Sequence, residues 1–155
     1  MHDALQQAVT TAAQRPDVRE AVLRIYNELQ REIDARQPLC SASGRCCNFD
    51  RYGHRLYVTT IELATFLHQL TEAEMTIPEA TDPATCPLQL NKLCSVHPIR
   101  PFGCRIFFCD PTATQWQNDQ YEQFHARLRR LHDDLNVPYF YVEWRQALRA
   151  LSPDH

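Results

Sequence analysis

All seven cysteines of this chain fall between positions 40 and 109, and none lies outside that span. Cys40, Cys46 and Cys47 share one loop reading CSASGRCC, while Cys86, Cys94, Cys104 and Cys109 run through CPLQLNKLCSVHPIRPFGCRIFFC. Thiols gathered this way restrict the central part of the chain to one of two solutions, a disulfide framework or a metal site. The compartment bears on the choice. Met1-His2-Asp3 opens with no basic run and no apolar stretch of the secretory kind. No segment approaches the roughly 18 apolar residues of a membrane span. The sequence therefore predicts a cytoplasmic protein, where thiols stay reduced and clustered cysteines more often bind metal. An odd count also fits poorly with a complete set of disulfides.

The spacings are Cys-x5-Cys-Cys and Cys-x7-Cys-x9-Cys-x4-Cys, with no Cys-x2-Cys knuckle. Zinc fingers and ribbons depend on such knuckles, because a tight turn presents two sulfurs to one tetrahedral ion. Wider, irregular spacings suit a cluster whose irons accept sulfurs from several directions. The leading expectation is an iron–sulfur cluster; zinc or iron ions on the same thiolates are the alternative, since soft sulfur ligands accept both. The candidate metal ligands are Cys40, Cys46, Cys47, Cys86, Cys94, Cys104 and Cys109. Ile106, Phe107 and Phe108 would wall such a centre from solvent.

Arg45, Arg51, Arg55, Arg100 and Arg105 lie near the cysteines in sequence, and cations there would offset the negative charge of clustered thiolates. His97, Arg100 and Arg105 are candidates for a supporting or anion-binding role, because guanidinium forks suit carboxylate or phosphate. His97 also reads as a loop histidine holding the turn before Pro98. A nucleophilic Cys94 with His97 as base is the weaker reading, since no third, orienting group stands out. A phosphate-cradling glycine loop, an HExxH helix and a paired-carboxylate motif are all absent from the sequence.

The flanks are helical in pattern. Residues 3–14 suit a short helix stopped by Pro16. Val18, Val22, Ile25, Leu29 and Ile33 share one face of a second helix, from about Asp17 to Arg36, with Asp17 as N-cap. Residues 55–59 form the best strand candidate. Thr59 and Glu62 give a capping box ahead of a helix burying Leu63, Phe66, Leu67 and Leu70, with His68 in solvent; a loop follows over 71–85. A long helix is expected from about Ala113 to Asn136. Its seam is Tyr121, Phe124, Leu128, Leu131 and Leu135, and His125 and His132 lie on a solvated flank. A last helix, from about Val142 to Leu151, buries Trp144, Leu148 and Leu151.

The whole reads as one domain, 1–155, of mainly α class (a small α+β at most). A helical arm spans 1–38, an irregular cysteine-rich metal-binding core with one short strand or hairpin spans 39–110, and helices packed on its other side span 111–155. At 155 residues one domain is the expected number. A net charge of −3 gives no sign of a nucleic-acid or membrane-surface binder. The expected partners are metal and a protein partner or protein substrate.

The run CSASGRCC, then LYVTTIE, then CPLQLNKLCSVHPIRPFGCRIF resembles the bacterial CxxCxxCC domain, a family described as zinc- or iron-chelating. Its closing element, C-x-[IV]-[HY]-x-x-R-P-x-x-C-R, is matched here by Cys94, Val96, His97, Arg100, Pro101, Cys104 and Arg105. The resemblance covers about residues 40–110 and implies a metal-chelating centre. Some members are linked to flagellin lysine N-methylation, so it also implies a protein lysine N-methylase-like activity as an alternative to redox, sensing or cluster-based catalysis, and to a zinc-stapled interaction module. Ser43 stands where the family's first loop has a further cysteine. Seven thiols do not fill two four-ligand sites, so two sites would need a non-cysteine ligand, an open position or a bridging thiolate; Ser43 otherwise reads as the neutral loss of an inessential ligand.

Overall fold

The computed structural model describes residues 2–36, 57–75, 89–90, 93–94 and 114–151. In chain order these form α1 (His2–Ala13), α2 (Pro16–Arg36), β1 (Tyr57–Thr59), α3 (Thr60–Glu72), β2 (Gln89–Leu90), β3 (Leu93–Cys94), α4 (Thr114–Leu135), β4 (Tyr141–Glu143) and α5 (Trp144–Leu151). The class is mainly α with short antiparallel strands, as the patterning predicts.

Helix α2 buries Val18, Val22, Ile25, Leu29 and Ile33, the one face that its apolar spacing defines. Its start differs from expectation. Pro16 occupies the first helical position, where a missing N–H costs nothing and the ring's fixed φ is already helical. Asp17 is consequently inside the first turn and is not the N-cap. Its carboxylate instead takes a forked pair from Arg15, Nε at 3.1 Å and Nη2 at 2.7 Å. The same guanidinium donates through Nη1 to the Leu135 carbonyl at 2.7 Å, tying the α1–α2 corner to the last turn of α4, where a cation is favoured.

Helix α3 is central: it packs against α1, α2 and β1. Nine consecutive residues, Val58 to Phe66, are all buried. Leu63, Phe66 and Leu70 face inward as expected, Leu67 is half-buried, and His68 pairs with Glu72 at 2.8 Å on the outer surface. Phe66 meets Trp144 of α5 edge to face, centroids 5.0 Å apart at 76°, a geometry worth about 0.5–1.5 kcal/mol beyond area burial. The helix ends at Glu72; Glu74 takes φ 57°, and Met75 N–H bonds the Leu70 carbonyl while Glu74 N–H bonds that of Thr71. These are the two bonds of a Schellman stop. Helix α4 ends the same way, with Asn136 at φ 56° and bonds from Val137 to His132 and from Asn136 to Asp133. The expected loop over 71–85 thus begins only after Glu72, and residues 76–85 lie outside the described residues.

Strand β1 pairs antiparallel with β4 in the register Tyr57↔Glu143, Val58↔Val142, Thr59↔Tyr141. Val58 and Val142 project together into the core, while Tyr57 and Tyr141 stack diagonally outside, centroids 5.1 Å apart. Val142 therefore belongs to a strand and not to the last helix, which starts at Trp144. One apolar cluster takes in residues from α1 to α5 together with both β1 and β4. The β1–α3 unit, although inside the span 39–110, is part of that common helical core.

Candidate metal centre

Cys40, Cys46, Cys47, Cys86, Cys104 and Cys109, with His97, Arg100 and Arg105, lie outside the described residues. Cys94 alone falls within an element. It closes β3, and the β2–β3 hairpin sets it opposite Gln89, with Leu90 opposite Leu93. The chain therefore reverses direction between Leu90 and Leu93. Among the described residues no group of three or more His, Cys, Asp or Glu side chains is arranged to hold a metal ion. The described helices themselves carry no cysteine.

What the helices do build is the anchor for the cysteine-bearing stretches. Residues 37–56 run directly into β1, and residues 76–88 follow α3, so both stretches are joined covalently to the β1–α3 unit. Its N-terminal end is buried, and a buried helix start leaves N–H donors that need partners. Glu62 supplies one: its Oε2 accepts the Thr59 N–H at 3.0 Å and the Thr59 hydroxyl at 2.9 Å. The Tyr26 hydroxyl of α2 donates to Glu62 Oε1 at 3.2 Å. A carboxylate at this end is further favoured by the helix dipole. The capping box read from Thr59 and Glu62 is present; its burial and its partner Tyr26 were not legible in the motif.

His132 supplies the second partner and corrects the sequence reading. Placed on a solvated flank by the seam of α4, it is only 1% exposed. Its Nδ1–H donates to the Leu128 carbonyl at 2.8 Å, and its bare Nε2 accepts the Ile61 N–H at 3.3 Å. The flank is covered because the chain turns back at Asn136 and brings Tyr139 edge-on to the imidazole, centroids 4.9 Å apart. Phe140 N–H then bonds the Thr60 hydroxyl at 2.8 Å. The usable signal was Asn136 followed by Pro138, a stop that folds the chain over the preceding turn. Burial holds the His132 imidazole below its ordinary value, and that of half-buried His125 is also lowered, by burial and then by Arg129.

Around this junction lies an aromatic array. His125 Nε2 meets the Tyr139 hydroxyl at 3.2 Å, and the Tyr121 and Tyr141 hydroxyls are hydrogen-bonded to one another. Burial pushes the Tyr121 and Tyr139 phenols up, so both stay neutral and act as hydrogen-bonding groups rather than as anions.

No protein-family model matches the chain, and no curated protein or solved structure is significantly similar to it. No described helix is long and apolar enough to cross a membrane.

Proposed function

We propose that this protein binds an iron–sulfur cluster, or iron, through its clustered thiolates and uses it in a redox, sensing or cluster-based catalytic role. One observation carries the reading: every cysteine lies in the two sequence stretches 37–56 and 76–113 that flank the buried β1–α3 unit, and the described helices that make the core have none. Cysteine used as a small buried hydrophobe would be scattered among core positions. Here it is concentrated in two sequence stretches outside the described helices. The donor set fits the group, since thiolates are the ligands of iron–sulfur clusters and of zinc. The likeness of Cys94 to Arg105 to the chelating family points the same way.

A bound cluster would supply one-electron redox chemistry or an iron open to substrate. The chain's own part is to hold it. The β2–β3 hairpin reverses the chain between two of the thiols, and the helical core fixes where both cysteine stretches start. Arg100 and Arg105 would offset the charge of the centre or bind an anionic substrate beside it.

Cys47→Ser and Cys104→Ser, each purified without oxygen, test the ligand set. Each is expected to lower bound metal to less than half of wild type while the helical circular dichroism is retained. Unchanged metal content in both variants would show that these thiols are not ligands.

A further inference from the structure

The imidazole of His132 is held in one protonation form by two bonds from opposite sides. Nδ1 must carry its proton to reach the Leu128 carbonyl, and Nε2 must be bare to accept from Ile61. Protonating Nε2 would point one N–H at another and strand the Ile61 donor in a buried helix start. The imidazolium would also face the positive end of the α3 dipole. The groups around it do not compensate. On α4, Asp133 favours the cation and His125 opposes it. From α3, Glu62 already accepts from Thr59 and from Tyr26 of α2. From the returning segment, Tyr139 presents its ring, with Arg129 over that ring at 5.4 Å. Tyr141 of β4 lies against His125, and Arg15, paired with Asp17, is bound to the Leu135 carbonyl.

We infer that His132 is a pH-operated latch on the first turn of α3: neutral it closes the β1–α3 junction, and protonated it opens it, loosening the shared anchor of both cysteine-bearing stretches. The opening stands on the geometry alone; its consequence for the thiols rests on the metal-binding reading above. The sign follows from burial. A base whose folded value lies below its ordinary 6.5 gives its full stabilisation above that pH and loses it as pH falls. Lowering the pH from 7.5 to 5.5 therefore favours opening, by at most about tenfold for one proton that the closed form does not take.

Amide exchange at Ile61, corrected for the intrinsic pH dependence of exchange, reads the latch directly in the full chain. The open population is expected to rise severalfold, by at most about tenfold, from pH 7.5 to 5.5 in wild type and in Glu62→Gln. In His132→Gln, whose side-chain carbonyl can accept the same N–H and does not titrate, it should stay flat. An equal rise in His132→Gln, or a rise abolished only by Glu62→Gln, would overturn the latch. Wild type alone gives a second readout by nitrogen NMR of the ring: His132 is expected to remain the neutral Nδ1–H form at pH 6.5. Half-protonation there with Ile61 still protected would also overturn it. Metal measured in the same samples separates the two claims. Loss of metal that follows Ile61 opening, and moves to lower pH in His132→Gln, ties the latch to the thiols. Identical loss in both proteins removes that tie, and no metal at pH 7.5 sinks the metal reading while the amide data still decide the latch.

Discussion

Two adjacent stripes of α4 do different things with the same helical repeat. One stripe carries Phe124 and Leu128, both apolar and buried, on a helix that packs against α2. The other carries His125 and His132 under α3 and the returning segment 137–141 and holds the core through directed hydrogen bonds. Apolar contact tolerates small shifts and scales with area. The histidine stripe tolerates neither a shifted donor nor a changed protonation state. The first stripe therefore sets how stable the scaffold is, and the second sets when the β1–α3 junction stays closed.

The largest expected effect breaks the apolar stripe. Leu128→Ala should cost about 3 kcal/mol in denaturant unfolding, the usual range for a fully buried leucine, with little change in the response to pH. On the other stripe, His132→Leu preserves bulk but strands the Ile61 N–H, for a loss of about 2 kcal/mol at neutral pH. It should also abolish the extra destabilisation expected of wild type as pH falls below 6.5; for a single proton that amounts to at most about 1.4 kcal/mol at pH 5.5. A pH-independent wild type would place the two stripes of α4 in one class. Tyr26→Phe removes the phenol from Glu62 and should cost about 1 kcal/mol, read by thermal or denaturant unfolding. The smallest change is a gain. Glu74→Gly relieves the positive φ at the end of α3 and should stabilise by about 0.5 kcal/mol, because glycine enters that region without a steric penalty.

Periodicity made the apolar framework legible. Val18 to Ile33 on α2, Leu63, Phe66 and Leu70 on α3, and Leu148 and Leu151 on α5 are buried where the spacing put them. The capping box at Thr59 also announced the start of α3. What spacing does not carry is contact between distant parts of the chain. His132 looks like a solvated flank because the pattern of one helix holds no information about the Ile61 N–H, 71 residues away. Strand β4 is similarly short, and only its pairing with β1 separates Val142 from the helix that follows. Asp17 has the chemistry of an N-cap, but Pro16 is already suited to the first helical position and moves the start of α2 upstream of it. For the thiols, the sequence supplies the donors and their spacing. Of the seven only Cys94 lies within a described element, so which thiols share a centre is a question for metal chemistry and not for helix geometry.

The measurement that bears most directly on the central claim is iron and acid-labile sulfide per chain, with the visible spectrum, on protein purified without oxygen. Iron and sulfide in near-equal amounts, with broad visible absorption that bleaches on reduction, is the expected result. A colourless protein carrying zinc and no sulfide would contradict the cluster and leave the thiols with a structural role.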